Sequence, residues 1–152
     1  MIVYRLSKSK YASSLTGFGA AKWGGRWNSP GIAMIYTGQS RALCTAEIAV
    51  HTPMGDLPEA YFLVTIIIPG RSLQVLSPDH LPLDWKSVPP SQSTRRIGDT
   101  FIKQGKSLAL KVPSVVVPGE FNILINPNHA RVKEVNIESI EPFEFDTRLF
   151  IR

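Results

Sequence analysis

The stretch Tyr61-Phe-Leu-Val-Thr-Ile-Ile-Ile68 consists almost entirely of aromatic and β-branched residues. Residues of these types favour β-strands, and a short, continuous apolar run is typical of a strand that is buried in a sheet. The run is far shorter than the roughly 20 apolar residues that a membrane-spanning helix needs. The stretch therefore predicts a buried β-strand, and the segments around it decide the class of the fold.

Shorter strand-like segments lie on both sides of this run, separated by prolines and glycines. They are residues 2–6, 32–37, 108–112, 114–117, 121–125, 132–140 and 143–145. Helical periodicity appears only in residues 40–51, where Ser40 can cap the helix, and in residues 94–106. Residues 77–90 contain four prolines and predict a surface loop. We therefore expect an α+β fold that is rich in strands and has few helices.

The size and composition of the chain predict a single compact domain that spans residues 1–152. The residues are 43% hydrophobic and 19% charged, which is ordinary for a globular protein and excludes a disordered or collagen-like chain. The first residues lack the apolar segment of a signal peptide, and a single cysteine, Cys44, cannot form an internal disulfide. We expect a cytoplasmic protein with no membrane attachment.

The positive charge of the chain is concentrated in its amino-terminal third. Residues 1–52 carry six Lys and Arg residues and one acidic residue, whereas residues 53–152 carry eleven of each sign. The whole net charge of +5 therefore lies in this third, as expected if it meets an anionic ligand. A solvated basic face explains the charge equally well, and so does a non-enzymatic module that binds nucleic acid or a partner protein.

Residues 23–31 of this basic third read Trp23-Gly-Gly-Arg-Trp-Asn-Ser-Pro-Gly31. Glycine permits tight turns and close approach to a ligand, and the planar fork of an arginine can hold a phosphate through two hydrogen bonds. We expect a loop that bends around a ligand, with Arg26 on its charged group. For Trp23 and Trp27, packing in the core is the more common role.

Glu47 is an acidic residue on the apolar side of a predicted helix. It follows Leu43 by four residues and precedes Val50 by three, so it shares their stripe rather than the solvated face. A carboxylate in this place is costly unless a cation, a hydrogen-bond network or a ligand compensates, and such groups often mark working sites. The alternatives are a structural ion pair, for example with His51, or a place at the edge of the stripe.

Several common chemistries find no motif in this sequence. Residues 17–22 have Lys22 where a dinucleotide-binding loop has its third glycine, and no Gly-Lys-Ser/Thr phosphate loop follows. The three histidines do not share metal-ligand spacing with a cysteine or a carboxylate, so we expect no metal site. Neither a Gly-x-Ser-x-Gly motif nor a DNA-reading helix-turn-helix or zinc-finger pattern is present.

A set of short motifs occurs in a fixed order along nearly the whole chain. They are Tyr4-Arg5, Gly25-Arg26-Trp27-Asn28, Ile35-Tyr36-Thr37, Ala42-Leu-Cys-Thr-Ala-Glu47, Pro113-Ser114 and Asn122-Ile-Leu-Ile-Asn-Pro127. In this combination and order the chain resembles the RES domain family, which is named after its Arg, Glu and Ser residues. The combination is far more specific than any one of its parts.

The resemblance implies a bacterial toxin whose fold is similar to that of ADP-ribosyltransferases and whose substrate is NAD⁺. Members either degrade NAD⁺ by hydrolysis or phosphorolysis, or ADP-ribosylate a cell protein. The implied partner is a helix-turn-helix, Xre-like antitoxin that blocks the NAD⁺ pocket, with residues 77–90 as a candidate contact. A homodimer within the toxin–antitoxin complex is compatible with the family.

The resemblance also assigns roles to individual residues. The implied catalytic residues are Glu47, Arg26, Tyr36 and Ser114, and the implied NAD⁺-binding residues are Arg5, Arg26, Tyr36, Ser114 and Asn126. These residue types suit the chemistry, because cleavage of an N-glycosidic bond needs negative charge near the sugar and positive charge on the pyrophosphate. For Asn126, the sequence Asn-Pro-Asn-His also predicts an ordinary turn.

Overall fold

The computed structural model describes residues 1–151, and within them seven strands form one β-sheet. The strands are β1 (Ile2–Lys8), β2 (Ile35–Gly38), β3 (Tyr61–Ile67), β4 (Leu73–Val75), β5 (Ala109–Pro113), β6 (Phe121–Ile125) and β7 (Asn136–Phe143). Their order across the sheet is β4-β5-β6-β2-β1-β3-β7. Only β4 and β5 run parallel to each other, and all other neighbours are antiparallel.

Three α-helices accompany the sheet: α1 (Phe18–Trp23), α2 (Arg41–His51) and α3 (Gln92–Gln104). Helix α2 begins where the sequence predicts, because the hydroxyl of Ser40 accepts a hydrogen bond from the backbone N–H of Leu43 at 3.0 Å. Helix α3 ends at Gly105, which adopts the left-handed conformation at φ 60°. It lies in the crossover that connects the parallel strands β4 and β5.

The sheet separates two apolar layers, because alternate residues of each strand point to opposite faces. On one face, Val3, Val64 and Ile123 form a core that includes Ala12 from the segment after β1. On the other face lie two clusters. One packs against α3 and the other contains residues of α2. The strand predicted over residues 61–68 is buried between these layers and pairs with β1 and β7.

The predicted fold class, a single α+β domain rich in strands, is confirmed. Several local predictions are wrong. Residues 114–117 form a turn rather than a strand, and a 3₁₀ helix (Ala130–Glu134) precedes β7 within the predicted strand at 132–140. Val50 is 59% exposed, so the buried side of α2 runs through Leu43 and Cys44 instead. Helix α1 and the short strand β4 have no counterpart among the predicted elements.

None of the helices in the described part of the chain is both long and apolar enough to cross a bilayer.

Helix α3 lies against the backbone of the loop that contains Trp27. Gly98 of α3 makes this approach possible, because a β-carbon built on Gly98 would overlap the carbonyl oxygen of Trp27. Trp27 itself is 3% exposed and packs with Phe101 and Ile102 of α3. The helix and the loop are therefore fixed to each other at a contact that admits no side chain.

We predict that Gly98→Ala lowers the free energy of unfolding by about 3 kcal/mol or more, because backbone atoms on both sides must move to admit a methyl group. Urea unfolding followed by circular dichroism measures this change. The matched control is Gly19→Ala in α1, where a β-carbon meets nothing within 4 Å and stability should stay equal or rise slightly. Equal stability of the two variants would contradict the close contact.

Candidate active site

A row of three paired residues on neighbouring strands forms the floor of a cavity. Tyr4 of β1 pairs with Gly38 of β2, and Gly38 pairs with Asn122 of β6. Paired residues share a face of the sheet, and this row lies on the face that α2 covers. A β-carbon on Gly38 would be 3.0 Å from the sulfur of Cys44 on α2. The absence of a side chain at Gly38 therefore lets α2 lie close to the sheet.

Glu47 extends from α2 into this cavity, one turn after Cys44. The cavity encloses about 160 Å³. Its lining comes from β1, β2, β6 and α2 and includes Tyr4, Tyr36, Gly38, Cys44, Glu47 and Asn122. The expected position of Glu47 on the buried side of its helix is thus what the structure shows, since Leu43 and Cys44 on the same side are buried.

The carboxyl group of Glu47 is held in a partly desolvated place. Burial raises its pKa above the ordinary value, and the side-chain amide of Asn122 is the strongest influence in the opposite direction. His51, Ser114 and Arg26 also favour the ionised form. Among residues 1–151, the structure records no ion pair of Glu47, so the alternative of a direct pair with His51 is not realised.

Ser114 lies directly after β5 and faces Glu47. Its hydroxyl donates to Oε1 of Glu47 at 3.5 Å, which is long for a hydrogen bond. The hydroxyl oxygen of Ser114 also accepts hydrogen bonds from the backbone N–H groups of Val116 and Val117 at 3.1 and 3.0 Å. These bonds fold residues 114–117 into the turn that replaces the predicted strand, because a serine side chain competes with sheet pairing for the backbone donors.

The loop that carries Arg26 is organised by the buried side chain of Asn28. Its amide donates to the carbonyl oxygens of Ala20 and Ile32, both at 2.9 Å, and its own carbonyl accepts the hydroxyl of Tyr36 at 2.6 Å. The Tyr36 hydroxyl in turn accepts the backbone N–H of Trp27 at 3.1 Å. Burial raises the pKa of Tyr36, which keeps this hydroxyl protonated as a donor.

Two side chains of α3 clamp the same loop at both ends. Arg95 donates through Nε to the carbonyl oxygen of Gly25 at 3.0 Å. Asp99, one turn later, accepts the backbone N–H and the hydroxyl of Ser29 at 2.9 and 2.6 Å. These hydrogen bonds hold the backbone on both sides of Arg26 in place.

The glycines and tryptophans of the loop have different structural roles. A β-carbon on Gly25 would lie 2.7 Å from the Tyr36 hydroxyl, so this glycine makes room for the hydrogen bonds of the loop. Trp27 is a core residue, as expected. Trp23 is 75% exposed, so the expectation of core packing is wrong for it, and its ring instead lies near the ammonium of Lys22 at 5.2 Å.

The guanidinium of Arg26 is turned toward a distant segment of the chain. Nη1 donates to the carbonyl oxygens of Trp85 and Ser87 at 2.9 and 2.8 Å. Burial lowers the pKa of Arg26, and the nearby carboxylate of Glu47 acts in the opposite direction. Arg26 and Glu47 thus lie close enough to influence each other, although Arg26 is not among the residues that line the cavity.

Arg5 is among the residues that line the Glu47 cavity, but its guanidinium has other partners. It pairs with Val64, whose side chain belongs to the core on the sheet face opposite α2. Its Nη2 donates to the carbonyl oxygens of Ala12 and Ser14 at 3.0 and 2.8 Å. The guanidinium therefore anchors the segment after β1, and a role for Arg5 in NAD⁺ binding stays a prediction.

Asn126 has the turn role that its sequence also predicts, and Asn122 lies in the cavity instead. Asn126 is 1% exposed and lies outside the cavity lining. Its amide donates to Ile102 and its carbonyl accepts the N–H of Asn128, which is the turn role that its sequence context also predicts. Asn122, to which no role was assigned, lines the cavity and donates to the carbonyl oxygen of Thr37 at 3.3 Å. Its place opposite Gly38 depends on strand register, which sequence does not reveal.

A second, larger cavity of about 280 Å³ lies between α3 and β4. Its polar lining consists of Gln74, Arg96, Thr100 and Gln104, with no carboxylate that could act as an acid, a base or a charge stabiliser. Within residues 1–151, no group of three or more His, Cys, Asp and Glu side chains is placed to hold a metal ion. The cavity beside Glu47 is therefore the candidate active site.

We predict that Glu47→Gln raises the free energy of unfolding at neutral pH. The folded-state pKa of Glu47 is raised, so its ionised form destabilises the folded protein at pH values above that pKa. The difference should shrink as pH falls through the raised pKa and vanish once Glu47 is protonated in both states. Urea unfolding from pH 4 to pH 8, with Glu138→Gln on the exposed strand β7 as control, measures it. A stability loss at neutral pH would contradict the account.

The sequence of the chain is similar to those of known proteins. The family model described as RES domain matches residues 2–146. A protein named Toxin Res from Yersinia enterocolitica is 38% identical over 98% of this chain and 99% of its own. The Prs ADP-ribosylating toxin of a Sphingobium species is 37% identical over 91% of this chain and 88% of its own.

A solved structure shows the same fold at greater sequence distance. A chain of the M. tuberculosis MbcT–MbcA toxin–antitoxin complex superposes with a TM-score of 0.77 and 21% identity, covering 98% of this chain and 86% of the other. This likeness concerns the fold. The family match over nearly the whole length, together with relatives above 35% identity, shows that the chain belongs to the RES domain family.

Proposed function

We propose that this chain is the toxin of a toxin–antitoxin pair and that it consumes NAD⁺ by cleaving the bond between nicotinamide and ribose. Water or phosphate is the proposed acceptor. Membership of the RES domain family and the names of the curated relatives support the role of a toxin. The name of the Sphingobium relative supports NAD⁺ as the substrate, since ADP-ribose is the group that NAD⁺ donates.

The observation that carries the proposal is the carboxylate of Glu47 in a small cavity beside a cationic loop. The polar groups near it all favour its ionised form, although burial opposes ionisation. Partly buried ionisable groups of this kind cluster at functional sites. Loss of nicotinamide leaves positive charge on the ribose, and a fixed carboxylate stabilises that charge most strongly when water is excluded.

The proposed step breaks the bond between the ribose C1″ and the nicotinamide nitrogen. The bonding electron pair leaves with nicotinamide, which becomes neutral, and the ribose becomes an oxocarbenium-like cation. An oxygen of water or phosphate then bonds to C1″, and any proton that it loses passes to Glu47 or to solvent. Glu47 is thus the proposed catalytic residue.

The neighbouring residues hold the reacting groups in place. Ser114 donates to Glu47 at 3.5 Å, and the nearby amide of Asn122 favours the ionised form of the carboxyl group. The ring of Tyr36 lines the cavity and presents a face on which the nicotinamide can stack, while its hydroxyl is already used within the loop. Arg26 is proposed to hold the pyrophosphate through its planar fork.

The cavity fits only part of NAD⁺. Its volume of about 160 Å³ is smaller than the roughly 300–1,000 Å³ of most small-molecule sites. We infer that the nicotinamide and its ribose enter the cavity, while the pyrophosphate and the adenosine half extend over its mouth toward the Arg26 loop.

A protein acceptor is the second candidate, and one observation favours it. The Sphingobium relative, at 37% identity, is named as an ADP-ribosylating toxin of Prs. In that reaction the same bond breaks, and a protein side chain takes the place of water. Appearance of ADP-ribose on a cell protein, with little free ADP-ribose, would favour this candidate.

We also propose an antitoxin as the partner of this chain. The structural neighbour comes from a toxin–antitoxin complex. That the antitoxin is of the helix-turn-helix type, that it covers the NAD⁺ pocket with residues 77–90 at the contact, and that the chain forms a homodimer within the complex all stay predictions.

The first experiment incubates the purified chain with NAD⁺ in buffers with and without phosphate and follows nicotinamide, ADP-ribose and its phosphorylated form by mass spectrometry. We predict nicotinamide release that falls about 100-fold or more in Glu47→Gln, because the variant keeps the shape and loses the charge. The exposed Glu138→Gln is the control and should keep full activity. Full activity of folded Glu47→Gln would contradict the proposed mechanism.

Asn122→Ala tests the support of Glu47 through the pH dependence of NAD⁺ cleavage. The Asn122 amide favours the ionised carboxylate, so its removal should raise the pKa of Glu47 further. Activity that requires ionised Glu47 should then be lost at a higher pH in the variant, so that the acid limb of the profile moves upward. Asn136→Ala, on the exposed end of β7, serves as the control. A lower rate with an unmoved acid limb would indicate that Asn122 does not act through Glu47.

A further inference from the structure

We propose that residues 82–90 form a strap that holds Nη1 of Arg26 in the free protein and competes for this nitrogen with the phosphates of a ligand. The strap is then a built-in competitor of the substrate. The competition with substrate rests on the function proposed above, whereas the contact between the strap and Arg26 does not.

The contact engages the part of Arg26 that a phosphate would need. One nitrogen, Nη1, donates to the carbonyl oxygens of both Trp85 and Ser87, so both of its hydrogens are used. The guanidinium consequently faces the strap, and Arg26 does not line the cavity of Glu47. A phosphate that binds Nη1 together with Nη2 requires Arg26 to break at least one of these bonds.

The strap is held weakly elsewhere. Leu83 and Val88 are 108% and 83% exposed, whereas Trp85 is half-buried. The hydroxyl of Ser93 on α3 donates to Oδ1 of Asp84 at 2.5 Å. Segments with few buried apolar contacts open at low free-energy cost, so the two hydrogen bonds from Arg26 add to the local stability of the strap.

The other side of the contact is rigid. The loop of Arg26 is fixed by the buried Asn28, by Tyr36 and by the clamp of Arg95 and Asp99 on α3. When the two sides separate, the strap is therefore the part that moves.

The exchange of partners is favourable when a phosphate arrives. In a bond from the guanidinium to a phosphate both donor and acceptor are charged, whereas the carbonyl acceptors of the strap are neutral, so the phosphate is the stronger partner. The strap nevertheless reduces the apparent affinity, because only molecules with a free Arg26 are competent to bind. Weakening the strap should therefore strengthen ligand binding.

Amide hydrogen exchange of the full chain without ligand tests the contact itself. Within the strap, the N–H groups of Trp85 and Ser87 donate to Pro82 and Asp84 and report its closure. We expect Arg26→Ala to speed their exchange about threefold or more. Arg96→Ala, which removes an exposed arginine of α3, should leave the rate unchanged. Equal protection in Arg26→Ala and the unmodified chain would overturn the proposal.

Calorimetric titration with ADP-ribose tests the competition. We expect Ser93→Ala, which removes the tie to Asp84, to lower the Kd for ADP-ribose about two- to fivefold. Thr100→Ala on the exposed side of α3 is the control and should not change the Kd. An unchanged or higher Kd in Ser93→Ala would overturn the competition. If ADP-ribose binds none of the variants, the proposed function and the competition both fail, while the exchange experiment still decides whether Arg26 holds the strap.

Discussion

The rest of the site depends on the burial of one carboxylate, that of Glu47. Helix α2 lies close to the sheet because Gly38 has no side chain, and this brings Glu47 over the paired row of Tyr4, Gly38 and Asn122. Burial raises the pKa of the carboxyl group, and the surrounding donors act against that rise. A charge that is costly in the free protein becomes useful when positive charge develops next to it.

The cationic side of the site is built from one rigid and one loosely held part. The loop of Arg26 is fixed by Asn28, whose buried amide and carbonyl both have partners, and by the close contact of α3 at Gly98. The facing residues 82–90 make few apolar contacts with the core. The rigid loop fixes the backbone of Arg26, while Nη1 of this arginine bonds to the carbonyl oxygens of Trp85 and Ser87 in the facing segment.

Sequence reasoning reached the elements that local chemistry determines, such as the Ser40 cap of α2, the buried strand β3 and the buried side of α2 at Glu47. It did not reach what three-dimensional register decides. The Arg5 guanidinium bonds to the carbonyl oxygens of Ala12 and Ser14, and Asn122 reaches the cavity because it lies opposite Gly38. The contact of Arg26 with Trp85 joins residues 59 positions apart and leaves no local signal. Asn28 belongs to the motif at residues 25–28, but its hydrogen bonds within the loop are visible only in the structure.

A crystal structure of the Glu47→Gln variant with NAD⁺ tests the central claim most directly, because the substrate should bind and stay intact. The account predicts that the nicotinamide ribose lies in the cavity beside residue 47 and that the pyrophosphate contacts Arg26. NAD⁺ bound instead between α3 and β4, or with its nicotinamide ribose away from residue 47, would contradict the account.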